Sequence, residues 1–309
     1  MNSARFYQVM FLFSLWLSGI SNSEEAAKPS SFDWPAPTKV QVTEIANKKG
    51  NNAVMSYRID FSKGGKGYVA RMVDLDFSSI NGTSVPDRMR EALKPAVTAF
   101  NSMPSFVINP SGELIDITDL EGMIDATGKM LNEIRKDESG AEIKKAMKAD
   151  KTKEMIFNLL AEYWVCWVEN WIDFPASPDE SITEEFEGPL LSGTTPVKGT
   201  RIFRHLGNVK DSPHLVHLRT ETTITDPSLT KAVKEMLSEL DKAKGEAPDA
   251  DLDSVPEVVL LTIAEVKIDL RNLRPTWAKR SKEVKPKSGK PEIDKIDRVQ
   301  SHEYFFDWD

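Results

Sequence analysis

The chain has 309 residues, 40% of them hydrophobic, with 40 basic against 48 acidic side chains, four histidines and one cysteine. That apolar share supports a real core and excludes a disordered chain. The net charge of −8 excludes general nucleic-acid binding, which needs a basic face, and Cys166 alone cannot form an internal disulfide, which excludes a disulfide-stapled scaffold.

Residues 1–23 read as a signal peptide: Arg5, an uncharged apolar run from Phe6 to Ile20, then the small-x-small site Ser21-Asn22-Ser23. The run is short for a membrane span, which needs about twenty residues. No Cys follows it, so a lipid-anchored form is not expected. Its removal leaves 39 basic against 48 acidic residues, net −9. No second long apolar run follows, so no transmembrane segment is expected after signal removal, and the expected location is periplasmic or extracellular. Asn81-Gly82-Thr83 is a glycosylation sequon if the host glycosylates.

Residues 24–37, with Pro35 and Pro37, predict a flexible, extended leader. Three alternating segments follow, at Lys39–Ile45, Val54–Phe61 and Tyr68–Phe77. In the second, Met55, Tyr57, Ile59 and Phe61 share a face; in the third, Val69, Val73, Leu75 and Phe77 do, with Arg71 as the exception. They predict an antiparallel meander with one wet face. A helix is expected from Pro86 to about Met103 with a kink at Pro95. Asn109-Pro110-Ser111-Gly112 predicts a tight hairpin turn. Residues 119–136 and 141–172 predict helices, the second with Leu160, Trp164, Trp167 and Trp171 on one face.

Residues 175–198, rich in Pro, Gly and acids, read as a loop or linker. Strands are expected at 200–206, 214–225 and 258–270, a helix from Ser228 to Lys244, and a last strand with His302, Tyr304, Phe306 and Trp308 on one face. The basic stretch Lys279–Lys290 reads as a solvated hairpin loop, the alternative being a contact with anionic lipid headgroups or cell-envelope polymers. The expected fold class is therefore α+β, antiparallel meander sheets packed on helices, in two loosely similar halves at 38–174 and 199–309. The aromatic end, Tyr304 to Trp308, is like the last strand of outer-membrane barrels, but the chain ends in Asp and carries long helices, so that reading is rejected.

Chemical motifs are sparse. The sequence holds no nucleophile elbow, P-loop, HExxH, paired CxxC or dinucleotide fingerprint, so no cofactor and no catalytic residues are assigned. His214 and His217, three apart on a strand, point to opposite faces and cannot grip a metal together; no metal site is assigned. Asp60, Asp74 and Asp76 could cluster near Arg58, as an acid/base pair, a calcium site or ordinary cross-strand pairing. His217, Arg219 and Glu221 share a polar strand face and read the same way. The Trp stripe reads as core or as the wall of an apolar cavity, so Leu160, Trp164, Trp167 and Trp171 are the candidate ligand-binding residues. Cys166 among them reads as a buried small hydrophobe rather than a nucleophile.

The exported start, the meander, the hairpin Pro104–Asp116 and the Trp-bearing helical middle resemble exported bacterial proteins of unknown function in organisation. That resemblance implies an envelope location and a sheet-plus-helix fold, and no catalytic residues. The expected function is an exported, non-enzymatic envelope protein that binds an apolar or amphipathic ligand. The alternatives are a protein-interaction or structural module with an envelope-protein partner, and a hydrolase using sheet-face carboxylates. The sequence gives no oligomeric state.

Overall fold

A computed structural model describes residues 32–48, 50–135, 141, 144–145, 147–148, 150–175, 177–189, 196–231, 257–286 and 298–308. The expected signal peptide and all but the start of the expected 228–244 helix lie outside the described residues.

The strands are β1 (Thr38–Lys48), β2 (Asn51–Gly64), β3 (Gly67–Ile80), β4 (Thr83–Ser84), β5 (Ser105–Ile108), β6 (Leu114–Thr118), β7 (Ser181–Pro189), β8 (Pro196–Val209), β9 (Ser212–Ile224), β10 (Val258–Asp269), β11 (Arg274–Pro286) and β12 (Arg298–Trp308). The helices are α1 (Asp87–Asn101), α2 (Leu120–Arg135) and α3 (Asp150–Trp167), followed by a 3₁₀ turn at Glu169–Trp171. All twelve strands form one sheet in the order β6-β5-β3-β2-β1-β12-β11-β10-β9-β8-β7, with β4 on β3. Every pairing is antiparallel. The two ends of the chain meet at the middle of the sheet, where β1 pairs with β12 from Val40↔Trp308 to Lys48↔Gln300.

This corrects the expected α+β class. With 55% strand against 25% helix among the described residues, the protein is sheet-dominated. Two charged segments explain the difference. Residues 181–189, read as linker, are the edge strand β7, and residues 274–286, overlapping the expected basic loop, are β11. Their Glu and Lys side chains masked a period-two pattern that the backbone follows.

Three smaller corrections concern the faces. A β-bulge near Asp74, whose φ is 58°, shifts the β2–β3 register. It turns Ala70 and Met72 inward together with Leu75, and leaves Val69 and Val73 on the other side. The Arg71 exception to the expected alternation is this slip of one residue. The helix expected to run through Trp171 stops at Trp167 and tightens into the 3₁₀ turn. The leader is not loose where it is described: Phe32 and Trp34 are buried in the core.

Those two leader residues show that the sheet curls. The β5–β6 and β10–β11 turns stand six strand spacings apart, roughly 29 Å in a flat sheet. Phe32 packs on Gly112 in the first turn, so closely that a Cβ there would lie 2.9 Å from it. Trp34 Nε1 donates to Leu273 O, in the second turn, at 2.8 Å. Three residues and their side chains reach at most about 22 Å, so the turns are closer than a flat sheet permits.

Helix α3 lies within this curl. One face carries Leu160, Trp164 and Trp167, and the opposite face carries Glu162 and Cys166, yet all five are buried. Trp164 Nε1 donates to Gly112 O at 2.7 Å, while Glu162, two residues earlier, binds side chains of β11. Trp167 packs edge-on against Tyr304 and Phe306 of β12, both with ring centroids at 5.5 Å. Each buried tryptophan contributes roughly 4–6 kcal/mol of transfer free energy before entropy is charged against it.

Candidate functional site

The four residues expected to line an apolar site are core. Leu160, Trp164, Trp167 and Trp171 are all buried. Trp164 and Trp171 satisfy their indole N–H on Gly112 O and Cys166 O. Trp167 is different: its buried Nε1 has no hydrogen-bond partner.

Its neighbours are the rings of Tyr163, Tyr304 and Phe306, and a polar cluster lies farther along the inside of the curl. The period-two geometry of each strand places one row of inward-facing residues across the sheet. Arg280 of β11 stands opposite His302 of β12, and Lys282 stands opposite Gln300 on one side and Thr262 of β10 on the other. Thr262 faces Thr222 of β9, Thr222 faces Arg201 of β8, and Arg201 faces Glu184 of β7. On the β1 side the row ends at Glu44. His302 Nδ1 donates to Glu44 Oε1 at 2.7 Å and accepts through Nε2 from Gln300 at 2.7 Å.

Glu162 reaches this row from α3. It binds both the Arg280 guanidinium and the Lys282 ammonium, with Glu162 4%, Arg280 6% and Lys282 3% exposed. Burial lowers the Lys282 amine from 10.5 to about 7, even with Glu162 beside it favouring the charge. Burial is the largest influence on Arg280 and works against its charge, but Glu162 together with Tyr304, Cys166 and Tyr163 outweighs it, and the net shift favours the protonated guanidinium. Burial depresses Arg201, whose guanidinium sits 5.5 Å over the Phe186 ring and makes no ion pair among the described residues.

A cavity of about 20 Å³ opens between α3 and β8–β11, lined by Glu162, Arg201, Arg280, Lys282 and the threonines 220, 222 and 262 among others. The Thr262 hydroxyl is buried and unpartnered. So are Gln300 Oε1 and the hydroxyls of Tyr57 and Tyr304. Tyr57 lies beside Glu44 without meeting it in hydrogen-bond geometry; burial first, then the Glu44 charge, raise its pKa well above 10. Tyr304 is raised by the same two causes. Buried polar atoms are nearly always paired; of the ten buried side-chain atoms left without a hydrogen-bond partner among the described residues, those of Tyr57, Thr262, Gln300 and Tyr304 come from β2, β10 and β12, that of Trp167 comes from α3, and only Thr262 lines the cavity.

The other sequence candidates are ion pairs. Arg58 holds Asp60 at 2.7 Å and also binds Asp74, while Asp76 pairs instead with Arg90. The hydrogen bond from Arg58 holds the Asp60 carboxyl below its usual range. Asp60 and Asp74 thus gather around Arg58 as expected, and Asp76 does not. His217 and Arg219 both contact Glu265 of β10, with Arg219 also on Glu221. His214 and His217 are not brought together on a common ligand. Cys166 is buried, and burial pushes its thiol up to about 12. Among the described residues no group of three or more His, Cys, Asp or Glu is placed to hold a metal, and no helix is long and apolar enough to cross a membrane.

The sequence places Arg280 and Lys282 in a basic stretch that reads as a solvated loop, and nothing in its local pattern singles out Glu162, Glu44 or Arg201. The available signal was the alternation Ala278, Arg280, Lys282, Val284, which puts the two cations on the same face as two buried apolar residues. No family model matches this sequence, and no curated protein matches it either.

Proposed function

We propose that this chain is an exported, non-enzymatic binding protein of the cell envelope, and that it holds an amphipathic ligand inside the curl of its sheet. Export is supported by Arg5, the uncharged run to Ile20 and the Ser21-Asn22-Ser23 site. The observation that carries the binding site is the set of five buried polar atoms without a partner among the described residues, on Tyr57, Trp167, Thr262, Gln300 and Tyr304, in an interior that runs from an aromatic core to the charged row of Glu44, Glu162, Arg280 and Lys282. A ligand with a polar end and an apolar body matches that mixture, since binding sites are mostly apolar with a few convergent polar groups. The tryptophans of α3 then serve as the framework behind the site, and Trp167 offers its free N–H to it.

A binding role fits the chemistry better than catalysis. Arg58 pairs with both Asp60 and Asp74 and holds the Asp60 carboxyl below its usual range rather than raising it toward a working acid. Cys166 stays a thiol at neutral pH. Native mass spectrometry of the mature protein, purified gently from its own host and followed by solvent extraction, tests the reading. A stoichiometric adduct that extraction removes is expected; a clean apo mass across several gentle preparations would overturn it.

A further inference from the structure

We infer that the cavity between α3 and β8–β11 binds a small monovalent anion, either a free halide or the carboxylate end of a larger ligand. The second of these sources rests on the binding role proposed above; the first does not.

The lining is rich in cationic groups. Arg201, Arg280 and Lys282 line the cavity with one acid, Glu162, which Arg280 and Lys282 share; Glu184 of β7 stands opposite Arg201 outside the lining and only partly offsets its burial. Uncompensated positive charge in a buried place is costly unless something negative joins it. Arg201 has no ion pair among the described residues and lines the cavity from β8, with its guanidinium over the Phe186 ring. The Thr262 hydroxyl is more than nine-tenths buried, lines the cavity and has no partner. A hydroxyl proton and guanidinium N–H groups are donors, which an anion accepts and a metal cation does not. A metal would instead need several carboxylates, and the lining holds one.

Size sets the class. A cavity of about 20 Å³ exceeds the roughly 10–15 Å³ that one water needs. It admits a halide or one carboxylate oxygen pair at its mouth and is too small for an enclosed phosphate.

The test is thermal unfolding of the mature protein at fixed ionic strength in fluoride, chloride, bromide, acetate and hexanoate. General salting-out stabilises most in fluoride, so a site that prefers larger, weakly hydrated halides reverses the order. We expect bromide and chloride to raise the midpoint above fluoride, saturably. Thr262→Val and Arg201→Gln should each weaken bromide about tenfold while retaining the near-UV signal of the buried tryptophans. A bromide-soaked crystal should show an anomalous peak beside Thr262 and Lys282. Stabilisation by hexanoate beyond acetate assigns the site to a ligand's head group, and stabilisation by halides alone assigns it to the free ion. Midpoints that follow the salting-out order with no carboxylate preference, or a halide effect unchanged in both variants, would overturn the inference. An extractable adduct that proves neutral, together with no saturable halide effect, would leave the binding role standing and sink the anion site; saturable halide binding with a clean apo mass would do the reverse.

Discussion

The sharpest prediction comes from the mismatch of charge beneath α3: two neighbouring substitutions there should act with opposite sign. Glu162→Gln removes the one carboxylate that holds Arg280 and Lys282, which are 6% and 3% exposed. Both cations are then buried without a counter-charge, a loss of about 3–5 kcal/mol. In a chain this long that lowers the melting midpoint by roughly 6–12 °C. Lys282→Met leaves the Glu162–Arg280 pair intact and fills the space with an apolar chain of similar length. The expected change at pH 6 runs from neutral to about 2 kcal/mol stabilising. The pH dependence follows from Lys282 itself. Its amine falls from 10.5 in the unfolded chain to about 7 in the fold, through burial first and despite Glu162. Below pH 7 both states hold the proton and the full cost of the buried charge is present. Above pH 7 the native state releases a proton that the unfolded chain keeps, so stability rises by up to about 1.4 kcal/mol per pH unit. The useful window is pH 6–8.5. Higher up, the buried Cys166 thiol and the Tyr57 and Tyr304 hydroxyls, all raised, subtract stability as their unfolded counterparts ionise. Urea unfolding of the three proteins, followed by tryptophan fluorescence at pH 6, 7 and 8.5, measures both effects. If Lys282→Met costs as much as Glu162→Gln and keeps the wild-type slope, Lys282 is an integral partner rather than a surplus charge, and the reasoning fails.

Three further outcomes are expected. Gly112→Ala should destabilise by about 1–3 kcal/mol, because φ is +96° there and the new Cβ would press on Phe32; chemical denaturation checks it. Cys166 should resist a maleimide at pH 7.5 in the native state and react within minutes in denaturant, since its thiol is buried and pushed up to about 12. Asp60→Asn should change stability by less than about 1 kcal/mol, as expected for a half-exposed pair with Arg58, and should leave any extractable adduct in place. A lost adduct in that variant would point back to the sheet-face carboxylates.

Much of the sheet was legible wherever one face was apolar. The alternation in 54–61, 214–225, 258–270 and 302–308 lies within β2, β9, β10 and β12 apart from a residue at two boundaries, and the Asn109–Gly112 turn joins β5 to β6. What stayed hidden had a physical reason in each case. β7 is an edge strand whose exposed Thr183, Glu185 and Glu187 read as linker, and edges carry charge because it discourages pairing with other chains. The bulge at Asp74 flips a face, which no fixed period can follow. Arg280 and Lys282 were assigned to solvent because long cations usually are, and here a carboxylate from a helix more than a hundred residues earlier takes them inside. A pairing between segments so far apart leaves no mark in local periodicity.

The same remoteness explains why the polar cluster sits where it does. The helical segment leaves edge strand β6 and rejoins the sheet at the opposite edge strand β7, so it must cross the open side of the curl. A curled sheet of this many strands encloses more space than its own side chains fill, and α3 occupies that space, which is why both of its faces are buried. Toward β1, β2 and β12 the filling is aromatic, with Trp164, Trp167, Tyr57 and Phe306. Toward β8–β11 it gives way to Glu162, the two β11 cations and the threonines of β9 and β10. A helix selected only to fill the curl would carry Leu or Met at position 162, which is cheaper to bury than a carboxylate with two cations. The charge is therefore kept at a cost to stability, and a cost of that kind, beside a cavity and an unpartnered hydroxyl, is what a binding site leaves in a fold.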